Sequence, residues 1–477
     1  MKIPPYAYVL FIAAIVLILL PFVMRTLNDN KTLPGEEAYY HARIAKQISE
    51  TGFLKQDDAV SYGRPYYFNP YPAVLAVFSY IWGVLNASRI VPLVAGILSV
   101  LLFYILLTKF KLDRLTVLSI LGVFILSPLF SYSFSLSTPA CLMILFNLLG
   151  VYFFTKDKKW CLVLSAVFFS TTALFGLLHA LVPAAIVSFY AMYNRKKRNH
   201  AYIILALLCI VIFAQDIPAF LQEESIDFVQ KSHVTGFISD LGGIGGFSAF
   251  TLLLALLGII GLWKYKKEHY LLYAASIFLV VYSFFDAGAM VYSNFILAFL
   301  AGVAFSGLAR MRWHLIQVRN FSLIVLFCGL LFSTISHAVA LSSLQPDSDM
   351  QDALLWIAHR SEAGDRVFSH YSKGFWIEFW AERPVLMDGL LKQTPDAGIL
   401  YDDSNAIFNS NDITLTRALL SKHRIKYLFM TRDMAEGLVW AKQGQGLNFL
   451  LTNSETFKKR YANPCCEVYE YIYQEKP

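Results

Sequence analysis

The sequence predicts an α-helical polytopic membrane protein with about 11–13 transmembrane helices that ends in an extracytoplasmic α/β domain. Three observations carry that prediction. The 477 residues are 57% hydrophobic, 16% aromatic and only 15% charged, whereas soluble domains run at roughly 45–50% apolar and about 25% charged. Apolar runs long enough to cross a bilayer as helices recur from the first residues to Leu341. The charge is unevenly divided: residues 1–341 hold 25 Lys+Arg against 15 Asp+Glu, a net of +10, and residues 342–477 hold 15 against 18, a net of −3. A soluble enzyme, a disordered or collagen-like chain and a nucleic-acid partner are thereby excluded. The apolar excess fits none of the first three, and the overall +7 is not gathered on a soluble face.

Spans fall at residues 6–24, 89–108, 115–131, 138–154, 160–176, 178–193, 201–217, 247–263, 270–286, 290–308 and 321–341. The first run is flanked by Lys2 and followed by Pro21-Phe-Val-Met-Arg25, which offers no small-residue cleavage site, so it reads as a retained anchor. Basic loops follow alternate spans, at Lys109 to Arg114, Lys156 to Lys159, Arg195 to Arg198, Lys264 to Lys267 and Arg310 to Arg319. With the amino terminus cytoplasmic, 17 Lys+Arg lie inside and 8 outside, and 12 of the 15 acids lie outside, the bias expected of a multi-pass protein in the cell membrane. Eleven spans then leave the C-terminal domain outside. Tyr71 to Asn86 is short for a span and reads as interfacial or re-entrant. Cys141, Cys161, Cys209 and Cys328 lie in spans as small apolar residues. Cys465 and Cys466 are external, and their vicinal pairing would strain disulfide geometry.

The chain thus divides into a membrane domain, residues 1–341, with external loops at 25–88 and 218–246, and an external α/β domain, residues 342–477. In the latter, Met350 to His359 and Asp412 to His423 have helical periodicity. Arg366 to Ser369, Ile425 to Met430 and Glu467 to Ile472 read as strands, and Glu455 to Tyr461 as a short helix.

Chemistry belongs where the external acids are. In loop 25–88, Tyr40, Ile44 and Ile48 recur every four residues from Glu36 to Glu50, the pattern of a helix lying on the membrane with Glu36 and Glu37 in its first turn. Such acids stabilise a helix amino terminus by roughly 0.3–1 kcal/mol with no further role. The alternative is a carboxylate at the outer surface that accepts a proton or holds a divalent cation. Spacing alone leaves both open. Other features have plainer readings. Tyr66, Tyr67, Phe68, Tyr71 and Tyr80 anchor at the interface, and His179, at an outer turn, is a packed polar residue. Gly242-Gly243-Ile-Gly245-Gly246 precedes a span, not the soluble strand-to-helix unit that a dinucleotide needs. The basic loops are topological signals and contact lipid phosphates only secondarily.

The string Gly35-Glu-Glu-Ala-Tyr-Tyr-His-Ala-Arg43 resembles the first external loop of the GT-C glycosyltransferases, particularly the archaeal catalytic subunit of oligosaccharyltransferase, where an acid precedes Pro-Tyr-Tyr-His-x-Arg. The resemblance places Glu37 at the catalytic acid, or Glu36 if the Asp-Glu-x-x-Tyr of the protein mannosyltransferases is followed. Arg43 falls at the motif's arginine. A second stretch of 23 residues, Val367 to Gly389, is similar to the start of the external domain of that subunit. There a Trp-Trp-Asp-aromatic-Gly box precedes an aromatic-rich strand and an Arg-Pro-Val…Asp-Gly turn, here Arg383-Pro384-Val385…Asp388-Gly389. The box itself reads His370-Tyr371-Ser372-Lys373-Gly374, so both tryptophans and the aspartate are replaced. The next external loop, Ser131 to Thr138, lacks the acidic pair of the family.

The resemblance implies a glycosyltransferase that moves a sugar or oligosaccharide from a polyprenyl (dolichyl-type) phosphate or diphosphate to a protein or glycan acceptor on the external face. Glu37 or Glu36 would take the acceptor's proton, Arg43 and Arg64 or a divalent ion would neutralise donor phosphate, and His370, Tyr371 and Ser372 would meet the acceptor. If Mn²⁺ or Mg²⁺ is used, hard cations want several oxygens, with Asp216, Glu224 and Asp286 as candidates. The rival readings are a polytopic transporter or flippase of a lipid-linked sugar and a non-catalytic relative. Transport is weighed against by the lack of an internal repeat and by acids gathered at one surface.

Overall fold

The computed structural model describes residues 5–110, 112–217, 236–267, 270–442 and 444–472. Each of the eleven predicted apolar runs is helical in its described part. In chain order the helices of the membrane domain are α1 Pro5–Leu27, α2 Glu37–Thr51, α3 Pro70–Trp82, α4 Val84–Lys109, α5 Arg114–Ile125, α6 Pro128–Ser135, α7 Ala140–Phe154, α8 Lys159–Ala173, α9 Leu177–Tyr193, α10 Arg198–Val211, α11 Ala249–Leu262, α12 Tyr270–Tyr282, α13 Ala287–Arg310 and α14 Ile316–Ser342. Among the described residues five helices are long and apolar enough to cross a membrane, and the bent pair α5–α6 makes a sixth. The other predicted spans form helices of 13 to 17 residues, which at 1.5 Å per residue reach about 20–26 Å. Hydropathy had counted apolar residues past the points where Pro, Gly and Ser end a helix. The predicted span 115–131 breaks by 60° at Ser127-Pro128, where proline lacks the N–H that would continue the ladder.

α2 departs from expectation in its setting. Tyr39, Ile44 and Ala45 are fully buried, and the Tyr40 ring packs, tilted by 43°, against Phe375 of the C-terminal domain at 5.1 Å. The apolar face is thus covered by protein, not spread on the membrane. The cover is built from the loop and the C-terminal domain together. Arg25, 1% exposed, donates to the carbonyls of Thr32, Ser342 and Pro346, satisfying the chain ends where α1 leaves and α14 arrives. Ser61 N bonds Val385 O at 2.8 Å and Val385 N bonds Ala59 O at 3.0 Å.

The C-terminal domain is a four-stranded sheet in the order β3-β4-β6-β5, with β3 (Arg366–Phe368) parallel to β4 (Ile425–Thr431) and the rest antiparallel: β6 is Cys466–Tyr471 and β5 Phe457–Ala462. A small antiparallel ribbon, β1 (Gln56–Asp57) and β2 (Arg64–Pro65), lies in loop 25–88. Helices α15 Ser348–Arg360, α16 Ala397–Asn409 and α17 Ile413–Lys422 surround the larger sheet. Two expectations are corrected. The helix predicted at Glu455 to Tyr461 is edge strand β5, whose Lys459 and Arg460 pair across to Glu467 and Glu470 of β6 at 2.7 and 2.6 Å. Cross-strand pairing and cationic edge residues suit a strand. The aromatic-rich segment after His370 to Gly374 is helical through Ala381, burying Phe375, Trp376 and Ile377 on the loop.

Candidate functional site

A cavity of about 650 Å³ opens where the predicted outer ends of the spans converge on loop 25–88 and the C-terminal domain. Its lining comes from the start of α2 (Glu36, Glu37, Tyr40, His41), the α6–α7 turn (Tyr132, Thr138, Pro139), the α8–α9 turn (Phe175, Gly176, His179), Gln215 after α10, Gly288 at the start of α13, and Phe375, Gly389, Leu390 and Gln393 of the C-terminal domain. The size and aromatic-rich wall suit a small-molecule site.

The two acids are held by local structure. Gly35 turns the chain with φ +85°, a conformation that side chains disfavour, and its carbonyl accepts from Trp376 Nε1 at 3.4 Å. Tyr39 Oη accepts from Leu33 N at 2.8 Å. α2 therefore starts at one fixed place, with Glu36 as its N-cap and Glu37 as its first residue. Burial, reinforced by the charge of Glu37, pushes the Glu36 carboxyl up to about 7. Glu37 is half exposed to the cavity and its Oε1 lies 3.3 Å from His41 Nε2.

Arg43 and Arg64 lie elsewhere. Neither lines the cavity. Arg43 forks onto both Asp57 oxygens at 2.7 Å and lies 3.0 Å from Glu378. Arg64 bridges Asp57 and Asp388 at 2.7 Å each. All five side chains are at most 7% exposed. Burial alone would raise the Asp57 carboxyl, but the two guanidiniums outweigh it and hold it well below the usual range. Glu378, whose oxygens have no well-aligned donor among the described residues, is pushed well above it by burial. The phosphate-neutralising role expected of the arginines thus meets a geometric obstacle: their charge is already committed behind Tyr40, over which both lie at 5.4–5.6 Å.

The other predicted residues are scattered. Asp286 caps α13, its Oδ1 accepting from Gly288 N at 2.6 Å and Ala289 N at 3.3 Å, so it adjoins the cavity with that oxygen engaged. Asp216 ends the turn that follows α10, one residue past the lining Gln215, and its side chain lies outside the described residues, as does Glu224. His370, Tyr371 and Ser372 form a tight turn in which His370 Nδ1 meets Ser372 Oγ at 2.8 Å. They stand off the lining, although Gly374, last in the box, packs so closely that a Cβ would come within 2.6 Å of that of Asp388. Lys373 is buried on Asp433 and Gln345, at 2.6 Å each. Among the described residues no three His, Cys, Asp or Glu side chains gather for a metal. Glu37 and His41 offer two donors, fewer than a hard cation needs. Sequence reasoning missed Tyr132, Gln215 and Gln393 and took His179 for packing. Tyr132, Gln215 and His179 share one signal, a polar side chain at a predicted outer span end.

No known family model matches the chain, and no curated protein does. Solved structures share its fold at low identity. The apo oligosaccharyltransferase of Archaeoglobus fulgidus superposes with a TM-score of 0.65 at 13% identity, over 98% of this chain and 75% of that one. ArnT from Cupriavidus metallidurans in the apo state gives 0.59 at 14%, over 98% of each chain. The mycobacterial arabinofuranosyltransferase AftD gives 0.58 at 15%, over 97% of this chain and 41% of that one. The oligosaccharyltransferase has also been seen with an acceptor peptide and with dolichol-phosphate, and ArnT with undecaprenyl phosphate. These are GT-C glycosyltransferases, and theirs is the fold of this chain, a multi-helix membrane domain followed by a small sheet domain.

Proposed function

We propose that the chain is a membrane glycosyltransferase that transfers a sugar or oligosaccharide from a polyprenyl (dolichyl-type) phosphate or diphosphate to an acceptor on the external face, with protein as the first acceptor to test. The observation that carries the reading is the pair Glu36 and Glu37 at the wall of a cavity where helix ends of the membrane domain and the C-terminal domain meet. The Archaeoglobus oligosaccharyltransferase and ArnT have been seen with dolichol-phosphate and undecaprenyl phosphate, and a cavity at the ends of membrane helices suits a donor whose tail stays in the bilayer. The amino terminus is placed in the cytoplasm and the C-terminal domain outside, as the basic loops require.

In the reaction the acceptor's nucleophilic atom attacks the anomeric carbon. The bond from that carbon to the phosphate oxygen breaks, and its electron pair leaves with the phosphate. The acceptor's proton passes to a carboxylate of the pair. A base is most effective when its affinity for protons is near that of the operating pH, and Glu36, pushed up to about 7, fits. Glu37, beside His41, keeps the first carboxyl there by its charge. The C-terminal domain, through Phe375, Gly389, Leu390 and Gln393, would close over the acceptor.

The experiment is turnover of a polyprenyl-phosphate sugar and of a diphosphate oligosaccharide by purified protein, with and without peptide acceptor and Mn²⁺ or Mg²⁺. Wild type should release lipid phosphate, and Glu36→Gln and Glu37→Gln should each slow it. Turnover untouched by either change sinks the proposed base. Translocation of intact donor across vesicles without turnover would instead establish the transport reading.

A further inference from the structure

His179 is placed as no packed polar residue needs to be. It stands in the first turn of α9, lines the cavity, and its Nδ1 lies 3.1 Å from Tyr292 Oη. No other hydrogen bond to its ring is present among the described residues. The other ring edge runs along the bare Cα of Gly288, itself a lining residue. A Cβ there would sit 2.9 Å from Asp286 Oδ1, 3.1 Å from His179 Cε1 and 3.5 Å from Nε2, so the Asp286 carboxylate, already engaged by backbone N–H groups, adjoins this ring edge and a side chain at position 288 would fill the space that remains beside the nitrogen.

Two further observations say what the nitrogen faces. The cavity lining contains two carboxylates and two histidines but no lysine or arginine among the described residues, and the nearest guanidiniums are committed to Asp57, Glu378 and Asp388. Among the described lining residues an anion entering here would meet neutral N–H donors and no lysine or arginine. A second cavity of about 530 Å³ lies between α8 and α10, lined by Leu162, Val163, Ala166, Val167, Leu207 and neighbours, and Leu174 belongs to both cavities. The wall between them is fixed by Gln215, whose Nε2 donates to Leu174 O at 3.0 Å and Phe68 O at 2.8 Å. Leu174, five residues before His179 in the chain, thus joins the polar cavity that His179 lines to an apolar groove. A lipid phosphate is the group that joins an apolar tail to a polar head.

We infer that His179 contacts the phosphate of the lipid-linked donor: the Tyr292 hydroxyl donates to Nδ1, which leaves the ring neutral with its proton on Nε2, and that N–H donates to a phosphate oxygen. This rests on the glycosyltransferase reading and names the residue that would bind its leaving group. A tyrosine that fixes the tautomer makes the imidazole a donor toward the cavity without adding charge. It also places the departing phosphate on the membrane side and the anomeric carbon toward Glu36 and Glu37.

The test is binding of a long-chain polyprenyl monophosphate, and of the matching polyprenol, to the full chain in nanodiscs. Wild type should bind the phosphate. His179→Ala should weaken it by about tenfold or more, the scale of one hydrogen bond to a charged group, and leave polyprenol binding unchanged. His179→Gln, whose amide N–H reaches the position of Nε2, should restore most of the affinity, and Tyr292→Phe should cost a few-fold. Equal phosphate affinity in wild type and His179→Ala overturns the inference while leaving the glycosyltransferase reading standing. Equal loss for phosphate and polyprenol means a structural role and overturns it too. A wild type that binds neither lipid overturns the reading beneath it.

Discussion

Helix α2 carries two charge clusters within two turns of each other, and they are built on opposite principles. Around Arg43, two guanidiniums and three carboxylates are buried together, with ion contacts of 2.7–3.0 Å that tie α2 to the β1–β2 ribbon and to the C-terminal domain. At the start of the helix, Glu36 and Glu37 stand side by side in a cavity that no described cationic side chain lines. The first cluster matches its charges and excludes water. The second leaves like charges adjacent, and the unfavourable burial shows as a Glu36 carboxyl pushed up to about 7. An unmatched pair is maintained only because the scaffold around it is rigid. The lattice supplies that rigidity, since Asp388 holds Leu390 N at 2.9 Å and Leu390 lines the cavity.

The largest effects should separate the two clusters by kind. Glu36→Gln with Glu37→Gln should lower turnover by about 10²–10⁴-fold, the contribution of a positioned proton acceptor, with no loss of thermal stability. Removing one partner of the lattice should do the reverse. Arg64→Ala or Asp388→Ala leaves a buried charge uncompensated and should cost about 3–5 kcal/mol, read as a lowered unfolding midpoint in detergent whether or not donor is present. If the glutamine pair destabilises as much as Arg64→Ala, the clusters do not differ as described.

A pH series sharpens the contrast. A carboxylate raised to about 7 must be ionised to accept a proton, so turnover should rise with pH through that value. Glu37→Gln removes the neighbouring charge and should move the rise to lower pH. The sign for stability is the opposite one: between the ordinary carboxyl value and about 7 the unfolded state has ionised while the folded state still holds the Glu36 proton, so stability falls across that window and the loss is complete above it. Glu36→Gln should therefore raise the unfolding midpoint most at pH 8, less at pH 5.5, and little at a pH below the ordinary carboxyl value. A rise in turnover that stays in place in Glu37→Gln would uncouple the two acids.

Much of this was legible in the sequence, and the reason is period. Each of the eleven apolar runs fell on helix, and the resemblance at Glu36 to Arg43 pointed at the acids that line the cavity. The lattice was illegible because its members are ordinary polar-loop residues until folding joins them: Arg64 and Asp388 are 324 positions apart. Arg43 and Arg64 were proposed for the donor phosphate with no sign of their partners Asp57 and Asp388, since a sequence shows a charge without its partner. Strand β5 was misread because Phe457-Lys-Lys-Arg-Tyr461 shows cations where a half-buried strand would alternate, and their acids lie on β6. His179 and Gln215 were visible only as polar residues at span ends, a signal that becomes specific once those ends are seen to converge.

The smallest expected effect is the most demanding of the lattice. Two guanidiniums and three carboxylates, all buried, would leave one net negative charge if every group were ionised. That charge is too costly to keep in a dry interior. One carboxyl must hold a proton, and burial singles out Glu378, which is pushed well above the ordinary range although Arg43 lies 3.0 Å away. A protonated glutamate and a glutamine have the same shape and charge. Glu378→Gln should therefore change stability by less than about 1 kcal/mol, whereas Asp57→Asn, at a carboxylate that two arginines hold ionised, should cost about 3–5 kcal/mol. Equal losses from the two isosteric changes would mean that Glu378 is ionised as well, and that the lattice carries a net charge facing the acids of the cavity.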